Sequence, residues 1–371
     1  MRIGVPTETK NNEYRVAITP AGVAELTRRG HQVVVQAGAG EGSSIPDTDF
    51  KSAGAEIIAA AEHVWEAAEL LLKVKEPSEA EYALMRSGQT LFTYLHLAAS
   101  SACTAALLRS GTTAIAYETV QGTDGALPLL APMSEVAGRL AAQVGAYHLM
   151  TPVGGRGVLM GGVPGVGPAD VVVIGGGTAG YNAARVACGM GAHVTVFDVN
   201  VARLRQLDAE FGGRIRTRYS SSLELEGAVK RADLVIGAVL VPGARAPKLV
   251  SNALVAQMKP GAVLVDVAID QGGCFVDSRP TTHDRPTFAV HDTVFYCVAN
   301  MPGSVPRTST FALTNATMPY LLKLADMGWR AACQSDPALA KGLSTHEGAL
   351  LSQQVAHDLD LPCTDPAAVL G

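Results

Sequence analysis

Nowhere in the 371 residues do lysine and arginine gather into a patch: 29 basic residues are interspersed with 34 acidic ones, for a net charge of −5. That distribution lacks the electrostatic footprint of a protein that binds nucleic acid. Charged residues make up only 17% of the chain, against 48% hydrophobic ones. That is too little charge for a disordered chain, and enough apolar mass for sizeable cores. No apolar run reaches membrane-spanning length without a charge or a Gly/Pro break, so no membrane partner is expected. The opening Met1–Glu8 has no secretory apolar region. The six cysteines (Cys103, Cys188, Cys274, Cys297, Cys333 and Cys363) are scattered, with no C-x-x-C pair. This argues against a zinc site and for reduced thiols in a cytoplasmic protein. No metal ligand is assigned. No internal repeat or low-complexity segment stands out, and the length suggests about two domains.

What is present centres on Val171-Val172-Val173-Ile174-Gly175-Gly176-Gly177-Thr178-Ala179-Gly180. Four branched apolar residues in a row read as a strand buried on both faces. Gly175, Gly177 and Gly180 then fit G-x-G-x-x-G. The first permits the tight turn out of the strand, the second lets a pyrophosphate approach the backbone, and the third lets the next helix pack close. That helix, about Thr178 to Met190, points its N-terminal amides at the phosphates. A glycine triplet is weak evidence in a chain with 39 glycines. The context strengthens it: His193–Phe197 reads as a second strand, and Asp198 stands about 20 residues beyond the motif, where an acid receives the ribose hydroxyls. The competing reading makes Asp198 only the cap of the following helix.

The N-terminal third alternates short apolar strands (Ile3–Pro6, Val33–Ala37, Leu70–Val74, Thr90–Leu97, Thr113–Tyr117) with helices such as Ala21–Arg29 and Cys103–Arg109. This is a parallel α/β pattern in its own right. A long helix from Ala131 to about Met150 suits a connector, and Gly154–Pro168 reads as a loop. Further strands are expected at Ala232–Ala238, Ala262–Ile269 and Val294–Ala299. After Pro306 the pattern turns helical to the end, with Pro319 a kink or a start. The fold class expected is α/β: two Rossmann-like parallel-sheet domains with a substrate cleft between them. The C-terminal helices return to the first domain. Residues 1–128 with 307–371 form a discontinuous substrate domain, and 129–306 a nucleotide-binding domain.

Ligands of open parallel sheets bind beyond the carboxyl ends of the strands, so polar residues there are the candidates. Asp270 and Asn300 end two strands of the nucleotide domain; a turn residue is the plain alternative for Asp270. Lys73 and Lys75 end a strand of the first domain and suit an anionic substrate, unless they are a solvated strand end. His96 is either structural or a general acid/base, since imidazole titrates near neutrality. Arg15, if not a surface arginine, has the planar fork that grips a carboxylate.

Ile3–Lys10 with Glu13–Ala17 resembles the opening of the alanine dehydrogenase family. So do Lys73–Pro77, Tyr94–Ala98, Pro132–Gly138 and Asp266–Gly273, in order along nearly the whole chain. The chain is most like mycobacterial and actinobacterial members. The α subunit of nicotinamide transhydrogenase shares some of these motifs and is the alternative. The resemblance implies reversible, NAD-dependent oxidative deamination of L-alanine to pyruvate and ammonium. It implies Arg15 and Lys75 as substrate anchors and His96 and Asp270 as catalytic residues. It implies NAD contacts from Ser134, Gly175, Gly177, Thr178, Ala179, Gly180, Asp198, Arg203, Ser220, Val239, Leu240 and Arg279. Val267, Ala268, Ile269 and Asp270 join them, with Val298, Ala299, Asn300 and Met301. Family members are commonly homohexamers, so a homohexamer is expected. Some relatives carry a magnesium site on the helix after Pro319. Here Lys323 and Met327 stand in those places and do not suit it.

Overall fold

A computed structural model describes residues 1–239 and 246–371. The chain forms two compact units, Met1–Met133 with Val305–Gly371, and Ser134–Ser304. In the first unit, strands β1 (Arg2–Val5), β2 (Gln32–Gln36), β3 (Glu56–Ile58), β4 (Leu70–Leu72), β5 (Thr90–Thr93) and β6 (Thr113–Ala116) pair in parallel in the order 3-2-1-4-5-6. Helices connect them. Pro20–Arg28, for example, is started by Thr19, whose Oγ1 accepts from Gly22 N–H, and by Pro20, whose missing N–H costs nothing in the first turn.

The second unit repeats that order with β7 (Asp170–Ile174), β8 (His193–Asp198), β9 (Arg216–Tyr219), β10 (Leu234–Gly237) and β11 (Val263–Asp266). Beyond β11 an antiparallel edge strand β12 (Thr287–Val290) pairs with β13 (Thr293–Tyr296), and β13 lies parallel to β11. The β7 strand shows why an unbroken branched run is needed. Val171 and Val173 enter one core with Ala183 and Ala187, while Val172 and Ile174 enter the other with Phe197 and Phe295. Alternate side chains leave a strand on opposite faces, so a strand covered on both sides must be apolar at every position. Both units are Rossmann-like. Each has a point where strand order reverses, between β1 and β4 and between β7 and β10.

Several sequence expectations need correction. The segment after Pro306 is not helical throughout. Helix Pro306–Met327 is followed by a hairpin, β14 (Leu343–His346) and β15 (Ala349–Leu350), and β14 adds antiparallel to β6. Glu347 and Gly348 turn it with positive φ at both positions, the hairpin geometry that matches strand twist. Pro319 lies inside that helix, which starts at Pro306. The β4 and β5 strands end sooner than their apolar runs. At β4 the next residue is a buried ion-pair partner, and past β5 the backbone turns left-handed at His96. The β3, β9 and β12 strands escaped notice because each is short and partly exposed, two with charged residues.

Candidate functional site

The strand-end candidates of the first unit all lie past the carboxyl ends of β1, β4 and β5, beside its reversal point. The two lysines have separate fates. Lys73 is fully buried, with its Nζ 3.1 Å from Glu8 Oε2 and 2.9 Å from Glu81 Oε1. Burial pulls its pKa down, yet the two carboxylates more than offset that and leave it raised. Lys73 is therefore not a solvated cation for a ligand, but part of the framework. Lys75 is half-buried, and its Nζ has no hydrogen-bond or ion-pair partner among the described residues.

Arg15 is 2% exposed, so it is no surface arginine. Its Nε donates to Glu13 Oε1 (2.7 Å) and its Nη2 to Glu13 Oε2 (2.6 Å). Its Nη1 lies 3.0 Å from Met133 Sδ, and a thioether is a weak acceptor. One edge of the fork is thus held rigidly by a carboxylate.

His96 sits at φ 47°, ψ 40°. A left-handed histidine persists only when its surroundings impose it. Here Glu118 does so: it accepts from His96 N–H (2.7 Å) and Leu95 N–H (3.2 Å). The half-exposed imidazole lies parallel to the Tyr94 ring, centroids 5.9 Å apart. Tyr94 donates its hydroxyl to Leu129 O (2.5 Å), and burial keeps that phenol well above its ordinary pKa. It is a neutral wall for the histidine. Sequence reasoning missed Glu118, Met133 and the pairing of Glu13. Nothing in their spacing sets them apart from other polar or apolar residues; only the fold brings them to the strand ends.

In the second unit Gly175 has φ 97°, and a Cβ there would lie 2.8 Å from Ala238 O. A Cβ on Gly180 would meet Gly175 O at 1.7 Å. Around Gly177, by contrast, a Cβ would find nothing within 4 Å, and helix Thr178–Gly189 behind it has no side-chain cap. Open backbone, uncapped amides and a helix dipole make a cradle for a diphosphate. Asp198 Oδ2 accepts from Gly176 N–H (2.7 Å) and Oδ1 from Asn200 N–H (2.8 Å). Asn200, not Asp198, caps helix Val201–Phe211, which removes the plain alternative for Asp198. Arg203 Nε donates to Gly176 O (2.6 Å) and Ser220 N–H to Asp198 O (3.0 Å). These residues fit a dinucleotide: carboxylate, glycine loop and helix terminus share one edge of the sheet.

Of the remaining candidates, Val239, Val267–Asp270 and Val298–Met301 follow the carboxyl ends of β10, β11 and β13. Ser134 and Ala179 lie near the close approach of Gly138 to Ala179 O, and Val239 follows β10. Val267 N–H donates to Gly237 O (2.8 Å). Asp270 is exposed on the single turn Ile269–Gln271. That loop is shaped by Asp266, missed in the sequence. Its buried carboxylate accepts from Ala268, Cys274 and Phe275 N–H and from Ser278 Oγ. Burial raises the Asp266 pKa against the pull of those donors. Val298 and Met301 are core residues, so they can offer a ligand only backbone, whereas Ala299 and Asn300 are half-exposed, Asn300 at φ 61°. Arg279 stacks on Phe288 (4.4 Å). Leu240 lies outside the described residues. Lys323 pairs with Asp336 (2.6 Å), and no group of three or more His, Cys, Asp or Glu that could hold a metal occurs among the described residues.

Residues 4–137 match the alanine dehydrogenase/PNT N-terminal domain, and residues 141–353 match the alanine dehydrogenase/PNT C-terminal domain. Over 370 residues, covering 100% of both chains, the sequence is 80% identical to an alanine dehydrogenase of Mycolicibacterium smegmatis and to one of Mycobacterium tuberculosis. Among solved structures, an L-alanine dehydrogenase is 52% identical, with a TM-score of 0.94 over 97% of this chain and 99% of that one. A transhydrogenase from Sinorhizobium meliloti is 26% identical, with a TM-score of 0.82 over 95% and 100%. The chain belongs to the alanine dehydrogenase/PNT family.

Proposed function

We propose that the protein catalyses the NAD-dependent, reversible oxidative deamination of L-alanine to pyruvate and ammonium. The observation that carries this is the joint presence of Arg15, Lys75 and His96 at the strand ends of one unit and a dinucleotide cradle in the other, in a chain 80% identical to named alanine dehydrogenases. NAD, when bound, supplies the hydride acceptor for the substrate Cα–H. Glycines 175, 177 and 180 and the amides of Thr178 and Ala179 would hold its diphosphate, and Asp198 its adenosine ribose. Arg15 would receive the substrate carboxylate, and Lys75 would add the second positive charge. A methyl side chain offers little else to grip, so these two must set the pose. His96 takes the proton of the water that adds to the imine, and returns it as the carbinolamine collapses to pyruvate and ammonia. Asp270, exposed on its turn, orients that water or the amine.

The assay is NADH formation with L-alanine, and absence of turnover would overturn the reading. The alternative, a nucleotide-presenting transhydrogenase subunit, predicts no alanine turnover. It is favoured less by the comparisons, at 26% against 52% and 80% identity. No helix among the described residues is long and apolar enough to cross a membrane. A homohexamer in the cytoplasm is part of the proposal. Light scattering should find a mass near six chains at micromolar concentration, and a stable monomer would remove that part.

Cofactor choice follows from Asp198. A 2′-phosphate would set negative charge against that carboxylate and leave its ribose hydrogen bonds unmade. Bonds to charged groups are worth about 1.5–3 kcal/mol, and ~1.4 kcal/mol is tenfold. NAD should therefore exceed NADP in kcat/KM by roughly tenfold or more. Asp198→Gly should weaken NAD and narrow the ratio, with Arg203 and Arg205 then free to favour NADP. An unchanged ratio would show that Asp198 does not read the ribose.

A further inference from the structure

We infer that Glu8 is a positioning residue for Lys75: its buried carboxylate clamps the Val74–Lys75 backbone and thereby sets where the Lys75 ammonium is presented. The inference rests on the reading that Lys75 anchors the substrate carboxylate.

The β1–β4 pairing ends with Gly4 opposite Leu71. On the other side, the last contacts with the β5 segment stretch to 3.3 Å, Lys73 N–H to Phe92 O and Tyr94 N–H to Val74 O. Past Leu72 the sheet no longer holds the chain firmly, yet an anchor has to be held. Side chains take over. Glu8, on the segment leaving β1, accepts from Val74 N–H at 2.6 Å and from Lys75 N–H at 3.3 Å. Thr93, fully buried at the end of β5, donates its Oγ1 to Lys75 O at 3.0 Å. The peptide groups before and after the Lys75 Cα are both fixed, one by a carboxylate and one by a hydroxyl.

The clamp has to be charged, and its charge has to be answered. Glu8 is 2% exposed, and burial raises its pKa. Lys73 answers it from the neighbouring residue, and Glu81 completes the triad. Glu81 is held in turn by Ser78 N–H (2.8 Å), Ser78 Oγ (3.1 Å) and Thr9 Oγ1 (3.2 Å). Two lysines two positions apart thus divide the work. Lys73 is buried in the framework, where its charge opposes the upward shift that burial gives the Glu8 pKa, and Lys75 is half-buried with no partner for its ammonium among the described residues. A regular strand would set positions 73 and 75 on one face, so their different surroundings arise because β4 ends at Leu72 and side chains, not the sheet, fix the backbone beyond it.

The test is a mutant cycle with Glu8→Gln, Lys75→Met and the double variant, in the full-length enzyme. It reads the dissociation constant of pyruvate for the NADH-loaded protein and kcat/KM, with the NADH dissociation constant and Tm as controls. Glutamine keeps the shape and one acceptor but loses the ionic clamp. Glu8→Gln should weaken pyruvate and lower kcat/KM on the order of tenfold, the scale of a small misplacement at a site, with NADH binding unchanged. Lys75→Met should lose more. Because Glu8 acts through Lys75, the double variant should be no worse than Lys75→Met alone. Wild-type pyruvate binding in Glu8→Gln, or losses that multiply in the double variant, would overturn the inference while leaving the anchor reading intact. A harmless Lys75→Met would overturn both. If Glu8→Gln does not fold, Thr93→Val releases the other side of the same peptide without touching the triad. It should show the same selective loss of pyruvate, and normal pyruvate binding in that variant would sink the inference.

Discussion

His96→Ala is expected to lower kcat in both directions by ~10²–10⁴-fold, the usual contribution of a general acid/base, while the NADH dissociation constant stays near wild type. The histidine lies on the first unit, past β5, and the glycine cradle on the second, so the imidazole is no part of the cradle. The substitution also changes a residue held at positive φ, which alanine tolerates poorly. His96→Asn separates the two effects, since asparagine accepts the left-handed conformation more readily but has no titrating group. Both variants should lose kcat to a similar degree. Stopped-flow turnover and NADH fluorescence titration make the measurement. An asparagine variant with near-normal turnover at neutral pH would remove His96 from proton transfer and leave it a conformational role.

Lys73→Met should cost the first unit about 3–5 kcal/mol, the scale for removing one partner of a buried ion pair. Methionine fills the volume, so the loss is electrostatic: Glu8 and Glu81 remain buried, at 2% and 5% side-chain exposure, with no cation between them. Both tryptophans, Trp65 and Trp329, belong to the first unit. Urea unfolding followed by tryptophan fluorescence therefore reports that unit alone, without assuming that the whole chain unfolds in one step. The midpoint should fall strongly. Lys73→Met with Glu8→Gln should recover part of the loss, since one buried carboxylate then remains instead of two. A single variant as stable as wild type would mean the triad is not held in ionic form.

The glycine cradle could be read directly from residue order, because each glycine answers a demand made within a few positions of itself. Strand cores were equally plain wherever branched apolar residues ran unbroken, as in β7 and β10. The strands that went unread, β3, β9, β12 and the β14–β15 hairpin, lie at sheet edges. β3, β9 and β12 are partly solvated there and two of them admit charged residues, while β14 is buried but carries Ser344, Thr345 and His346, so the apolar pattern fades. In the site, the residues that touch ligand in the proposal were visible as polar groups at strand ends. The residues that hold them were not. Glu8 meets Lys75 and Glu118 meets His96 through contacts that span strands, Asp266 shapes the Asp270 loop through an irregular segment with no repeating pattern, and Arg15 with Glu13 pairs across only two positions but in irregular backbone. Lys73 and Lys75 look alike in the sequence and have the same strand parity; only the buried carboxylates of Glu8 and Glu81, brought to Lys73 by the fold, tell the framework cation from the anchor.

The hairpin beside β6 bears on synthesis. Strands β1 to β6 leave the ribosome first, but β14, the neighbour that covers β6, is encoded more than 200 residues later. Until Leu343–His346 emerges, β6 is the border of a nascent parallel sheet, with backbone donors and acceptors unmatched along Thr113–Ala116. Such a border is a template for another chain, and slow, long-range pairing prolongs the exposure. The intervening unit, by contrast, is continuous in sequence and can complete its sheet while the first still waits. A ribosome stalled before residue 343 therefore carries one finished domain and one with an adhesive margin, and it is this half-built species, rather than the mature enzyme, that would recruit chaperones.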